Sequence, residues 1–275
     1  MSDASYRPIK ARKMDFDFDP ETVPKWWFNN NPVLTHAANG LHLVFPEGER
    51  FFIRSVRHYE DRIQDPVLKA QIRGFYAQEA RHGSEHTRSF EMFRQQGYDM
   101  SDWLENYRRR VAQLERWAPP IVRLSVTVAL EHLTATLGDN ALTDPYLETM
   151  HPTMRDLLKW HAAEEIEHKA VAFDVFTAVG GSYPTRMLGM ALGLGLLMHF
   201  WGRGMRRLFA IENLSRQKFV AYRDQLHHER PGHLRKLMRR ALLEYMKPGF
   251  HPSDRDNYAM ATRYLDAAKT SSASS

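Results

Sequence analysis

The stretch His161-Ala-Ala-Glu-Glu-Ile-Glu-His168 sets His161, Glu165 and His168 four and three residues apart. In a helix that spacing stacks an imidazole, a carboxylate and an imidazole along one face. Such a face suits a metal ion, which replaces the hydration that buried polar groups lose. Glu-x-x-His also occurs at Glu79/His82 and at Glu148/His151. Alone the pattern says little in a chain rich in Glu and His, where a solvated helix face is the competing reading.

The other half of a carboxylate-bridged dimetal site gives the pattern more meaning. In a four-helix bundle such a site takes one Glu from each of two helices and a Glu-x-x-His from each of the other two. Glu49 stands 30 residues before Glu79, and Glu131 stands 34 before Glu165. Both gaps suit antiparallel helix pairs with short connections. His151 is followed by Pro152 and preceded by Thr143-Asp144-Pro145, so Glu148/His151 reads as a helix boundary.

Roles follow for the set that remains. Glu79 and Glu165 are expected to bridge two ions and so to be the catalytic carboxylates. Glu49 and Glu131 are the terminal carboxylates, and His82 and His168 supply one imidazole per metal. His161 is a third imidazole or a supporting group. His86 shares the face of Glu79 and is a further candidate, and Glu47 is a substitute for Glu49. Glu164 could accept a hydrogen bond from a ligating imidazole, as such rings require.

The set Glu49, Glu79-x-x-His82, Glu131 and Glu165-x-x-His168 resembles the ferritin-like di-iron carboxylate superfamily. That superfamily includes ribonucleotide reductase small subunits, soluble acyl desaturases and multicomponent monooxygenases. With His161 the pattern also resembles the arylamine N-oxygenases. More closely, Pro46-Glu-Gly-Glu-Arg-Phe-Phe52, Glu79-Ala-Arg-His82 and Trp160 to His168 look like the bacterial "predicted metal-dependent hydrolases", over roughly residues 15–250. The resemblance implies a dimetal centre and leaves the substrate open. The ligand types favour two iron ions, or manganese or a mixed iron and manganese pair, in an O2-activating oxidoreductase. Its substrate would be apolar or amphipathic, with an electron donor as partner. A dimetal hydrolase is the alternative, and a non-enzymatic metal- or membrane-surface-binding protein a further one. His86 stands where a radical-storing Tyr would follow Glu79, so radical storage is disfavoured.

The chain of 275 residues, 43% hydrophobic, with 15 Phe, 11 Tyr and 6 Trp, is long and apolar enough for a large core. It has no Cys, which excludes disulfides, thiolate ligands and a Cys nucleophile. No apolar stretch near the N-terminus has signal-peptide character, so the expected location is cytoplasmic. Basic residues crowd the span from Arg203 to Lys247. They read as a solvated helix surface, with peripheral membrane contact as the alternative and no specific nucleic acid expected. A homodimer is compatible with all of this.

These residues need an all-α frame: a ferritin-like four-helix bundle with additional N- and C-terminal helices. An arm at 1–30, aromatic around Trp26-Trp27-Phe28, is expected to lie over a dimetal helical domain at 31–250. A C-terminal helix and disordered tail follow at 251–275, the tail beginning at Thr270. Asn31-Pro32 starts the first helix, which Pro46 and Gly48 kink or restart before Glu49. Asp65-Pro66 starts the second, ending near Gln96. Pro119-Pro120 opens the third, and one long helix from Pro152 to Val179 carries the fourth set. Met187 to Trp201 is almost wholly apolar but, at ~1.5 Å per residue, reaches roughly 22 Å, too short to span a bilayer. It reads as a buried helix or the wall of an apolar substrate channel.

Overall fold

The computed structural model describes residues 9–272, with side chains through residue 268, so the first eight residues of the expected arm lie outside it. Among the described residues the fold is all-α, with one isolated bridge between Phe28 and Met150.

Helix starts fall where side chains can satisfy the unpaired first amides. Asn31 caps α1 (Pro32–Arg57) by accepting from the amides of Val33 and Leu34, and Asp65 caps α2 (Pro66–Gln95) through Val67. Proline, with no amide to leave unpaired, opens both helices. It also opens α4 (Pro120–Thr143) and α5 (Pro152–His168). Pro46 does not restart α1, which runs unbroken past it. The ring removes one amide, and tertiary packing of the 26-residue helix outweighs that loss.

The helix expected over Pro152–Val179 divides directly after His168. α5 ends there, and α6 (Val171–Ala178) begins after a turn at Lys169 and Ala170. The ammonium of buried Lys169 donates to the carbonyl of Arg255 at 2.5 Å and to Asn257 Oδ1 at 2.6 Å. The C-terminal segment thus anchors the break, which local helix propensity gives no hint of. α6 closes at Gly180, whose φ of 84° suits a residue without a Cβ.

Opposing residues give the helix directions. Thr134 meets Glu165 and Gly138 meets Ala162, so α4 and α5 are antiparallel. His42 meets His86 and Glu49 meets Gly83, so α1 and α2 are too. His86 meets His161 and Gln78 meets His168, which sets α2 antiparallel to α5. α3 (Ser101–Trp117) covers α1, with the Tyr107 hydroxyl donating to the Val44 carbonyl. α7 (Tyr183–Glu212) crosses α1 and α4. A Cβ on its Gly189 would lie 2.4 Å from the Ser125 carbonyl carbon, so that crossing requires glycine.

α7 is not the buried helix that its composition suggests. Gly189, Met190 and Gly193 pack inward while Leu188 and Met198 are 47% and 50% exposed. Among the described residues no helix is long and apolar enough to cross a membrane. α8 (Arg216–Glu229), α9 (His233–Tyr245) and α10 (Tyr258–Ser272) complete the order. The backbone of α10 stays helical to Ser272, into the stretch expected as a disordered tail, and residues 273–275 lie outside the described region.

Phe16, Val23, Trp27 and Phe28 are buried, packing with Trp160 and Phe93. Two large apolar clusters, one around Trp27, Phe93 and Trp160 and the other around Phe52, Phe75 and Leu133, are accompanied by a small one of Val44, Tyr107 and Val111 among the described residues. His82 packs edge-on to Trp160 of the first and His168 edge-on to Phe75 of the second. Their junction is polar.

Candidate metal centre

Each helix of the four-helix unit sends side chains into that junction. α1 supplies Glu49, α2 supplies Glu79 and His82, α4 supplies Glu131, and α5 supplies His161, Glu165 and His168. All seven are buried. Ligand atoms of Glu79, Glu131, Glu165 and His168 lie within 4.8 Å of one another, as do those of Glu49, Glu79 and His82, and those of His82, His161 and Glu165. Glu79, Glu165 and His82 each belong to two of these three groups.

The distances tie the groups together. His168 Nε2 is 3.0 Å from Glu79, 3.4 Å from Glu131 and 3.6 Å from Glu165. His82 Nδ1 is 3.6 Å from Glu165, while His161 Nε2 is 2.8 Å from Glu165 and 3.8 Å from Glu49. Thr134 on α4 donates its hydroxyl to the other Glu165 oxygen at 2.5 Å. Glu47 is not part of the cluster. It pairs with Arg50 and Arg54, so of the two α1 carboxylates Glu49 is the inner one. Glu148 pairs with Arg155 and Lys159, away from the cluster, and His151 is the cap of α5, as its sequence context suggests.

The inward atoms have only one another. Both carboxylate oxygens of Glu49, Glu79 and Glu131, together with His82 Nδ1 and His168 Nε2, are buried without a well-aligned hydrogen bond, at ion-pair distances within the cluster. Orphaned groups of this kind are rare inside proteins because each forfeits its hydration. Here they share one small volume and are all donors of lone pairs. Carboxylates and neutral imidazoles with no thiolate suit hard and borderline divalent cations. The residues therefore fit a metal centre.

The outward atoms of the same two imidazoles are satisfied. His82 Nε2 pairs with Glu164 at 3.1 Å, and His168 Nδ1 pairs with Gln78 Oε1 at 2.9 Å. Gln78 in turn donates to Glu167 at 2.8 Å. Arg12 of the arm donates to both acids, at 3.0 Å to Glu164 and at 2.7 and 2.8 Å to Glu167. Each ring is thereby held with one nitrogen facing the junction.

His86 stands one step behind His161. Its Nε2 is 2.6 Å from His161 Nδ1, and its Nδ1 is 2.7 Å from His42 Nδ1, giving a row of three imidazoles. A ligand atom of His86 also lies within 4.8 Å of Glu49 and His161 ligand atoms.

Electrostatics follow from burial and crowding. Burial, with Glu79 and Glu165 nearby, raises Glu49 well above the ordinary carboxylate range. Burial and Glu131 do the same to Glu79. Burial pushes Glu131 up to about 7 against the pull of His168. Glu165 moves the other way: burial would raise it, but His168 and His161 hold it well below its usual value. His168 rises, since Glu165 and Glu131 overcome the effect of burial. Burial, aided by neighbouring imidazoles, keeps His82 and His86 neutral. Protons on the crowded carboxyls and on His168 thus balance the charge of the cluster, a role that cations can also fill.

Sequence reasoning missed Arg12, His42, Gln78, Thr134 and Glu167. His42 had a signal, lying two turns before Glu49 on the same face of α1, and Gln78 adjoins Glu79. Arg12 had none, because nothing local ties an arm residue to two acids on α5.

Neither a curated protein nor a solved structure matches the chain at the significance threshold applied. A family model described as "Predicted metal-dependent hydrolase" matches residues 10–256. That match overturns the preference for O2-dependent oxidation, and the di-iron monooxygenase reading does not stand. Carboxylates and imidazoles serve a Lewis-acid metal as well as a redox metal, so residue types alone had pointed to the wrong chemistry. With nearly its whole length matched, the chain belongs to the family of predicted metal-dependent hydrolases.

Proposed function

We propose that the protein is a ferritin-like dimetal hydrolase whose centre is the junction of α1, α2, α4 and α5. The observation that carries this reading is the convergence of unpartnered, buried lone-pair donors from four helices onto one volume, in a chain of this family. Glu49, Glu79 and His82 would hold one divalent cation and Glu131 and His168 the other, with Glu79 and Glu165 shared. Manganese, ferrous iron and zinc all suit these donors. Such a pair supplies Lewis acidity, polarising a carbonyl or phosphoryl group and making a bound water more acidic.

The chain's own residues do the rest. Thr134 fixes one oxygen of Glu165, so that the carboxylate keeps its orientation. Glu164 and Gln78 hold protons on the outward nitrogens of His82 and His168, leaving the inward lone pairs free. Trp160 and Phe75 pack against those rings and keep bulk water from them.

The test is metal content followed by turnover. After reconstitution with manganese, iron or zinc, elemental analysis should find about two ions per chain, as the dimetal ligand pattern requires. The loaded protein should cleave carboxylic or phosphoric esters without O2, and a chelator should abolish cleavage. Fewer than one ion per chain, or no hydrolysis of any ester by fully loaded protein, would sink the reading.

A further inference from the structure

Glu49 and Thr134 face outward from the metal centre as well as into it. Both line a cavity of about 240 Å³ enclosed by α1, α3, α4 and α7. Val44, Phe52, Val126, Leu130, Leu196 and Leu197 form much of its wall. The few polar groups on the wall are mostly engaged. Tyr107 donates to the Val44 carbonyl, and Thr134 to Glu165 and to the Glu131 carbonyl. Glu49 offers unpartnered oxygens at the inner end, and Arg123 an unpartnered Nε near the other.

The cavity is long as well as apolar. Leu114 and Leu192 line it and are 43% and 41% exposed, which places its mouth beside the start of α4. Val122 near that mouth and Thr134 at the centre both lie on α4, so at ~1.5 Å per residue the slot between them is roughly 18 Å long. A sugar, nucleotide or charged peptide placed there would leave its polar groups unpaired. An unbranched hydrocarbon chain would not.

Charge selects the reacting group. Four carboxylates already crowd the centre, and the arginines around it are engaged: Arg12 by Glu164 and Glu167, Arg50 by Glu47, and Arg54 by Glu47 and Glu115. The arginine on the cavity wall, Arg123, has an unpartnered Nε but stands eleven residues before Thr134, roughly 16 Å along α4 and near the mouth. No arginine is therefore free beside the reacting group to meet a phosphoester, whereas a carboxylic ester brings no added charge. We infer that the substrate is a long-chain carboxylic ester, its aliphatic acyl chain lying in this cavity and its carbonyl beside Glu49 and Thr134. This inference rests on the hydrolytic reading above. In the reaction a water oxygen bonds to the carbonyl carbon as the acyl C–O bond breaks. One water proton passes to the departing alkoxide, giving an alcohol and a long-chain acid, with no oxidant or reductant consumed.

The experiment compares 4-nitrophenyl acetate with 4-nitrophenyl dodecanoate on metal-loaded protein, alongside calorimetric binding of dodecanoate and acetate. Burial of the additional methylenes should raise kcat/KM roughly a hundredfold or more from acetate to dodecanoate, and dodecanoate should bind where acetate does not. Leu196→Trp, which fills the slot, should lower the dodecanoate-to-acetate ratio of kcat/KM roughly tenfold or more and weaken dodecanoate binding in parallel. Equal kcat/KM for the two esters with no dodecanoate binding overturns the chain assignment and leaves hydrolysis standing. Dodecanoate binding that Leu196→Trp abolishes, with neither ester cleaved, supports the chain site and overturns the hydrolytic reading instead.

Discussion

Arg12 donates to Glu164 at 3.0 Å across a sequence separation of 152 residues. With a second pair of bonds to Glu167, one arm guanidinium supports the hydrogen-bond partners of both His82 and His168. Burial would lower the Arg12 pKa, but these two acids raise it, so the cation persists at any working pH.

Replacing Arg12 should therefore loosen both imidazoles at once. Arg12→Gln is expected to cost about 10- to 100-fold in metal affinity, the usual penalty for losing an outer partner of ligating groups. Chelator-competition titration measures this, and circular dichroism should show helix content retained. Affinity equal to wild type would remove Arg12 from any role at the centre.

Glu165 should be less forgiving. It touches three imidazoles and Thr134, and belongs to two of the close-packed donor groups. Glu165→Gln keeps the shape and removes the charge that both ions would share, so metal content and hydrolysis should fall together. Elemental analysis showing full loading of this variant would contradict the proposed shared role of Glu165.

The helix spacing makes its own prediction. A Cβ at Gly138 would lie 2.8 Å from the carbonyl oxygen of Ala162, between the two helices that carry Glu131 and Glu165. Gly138→Ala should destabilise the protein by about 1–3 kcal/mol and lower its metal affinity. Gly195 is exposed on α7 with nothing within 4 Å of the same test position, and Gly195→Ala should stabilise by up to about 1 kcal/mol. Thermal melts of the two variants should move in opposite directions.

pH should act oppositely on metal-free and loaded protein. Glu49, Glu79 and Glu131 hold protons more tightly folded than unfolded, Glu131 up to about 7. Their contribution to metal-free stability is full below the ordinary carboxylate range and is lost as pH rises through about 7 and beyond. His42, depressed by burial to about 3, acts on the other side: its contribution is present above the ordinary imidazole value and is lost as pH falls toward 3. Metal-free protein should then melt at its highest temperature on the acid side of neutrality, where the raised carboxyls still hold their protons. Metal loading releases the carboxyl protons, so affinity should rise with pH and the alkaline decline should vanish. Parallel melting curves with and without metal from pH 6 to 9 would contradict this account.

The sequence carried the bundle through its punctuation. Asn31-Pro32, Asp65-Pro66, Pro120 and Pro152 each mark a helix start because capping and proline act locally. The convergence of Glu49, Glu79, His82, Glu131, Glu165 and His168 was legible because helical spacing and antiparallel pairing constrain them together. The break after His168 was not visible, since it depends on Lys169 reaching residues 255 and 257. Nor was the continuity of α1 through Pro46, which packing decides against local preference. The preference for oxidation over the family's predicted hydrolysis had a different cause: a carboxylate-rich donor set does not say whether its metal changes oxidation state.

The row His161, His86 and His42 has a consequence for where hydrogens reside. If His161 donates from Nε2 to Glu165 and all three rings are neutral, His86 points its hydrogen toward His161 and His42 its own toward His86. If a cation takes the Nε2 lone pair of His161, all three rings switch tautomer in concert, and the hydrogen displaced at the far end appears on His42 Nε2, a buried atom with no acceptor. Occupancy at one end of the row is thereby recorded on a ring at the other end.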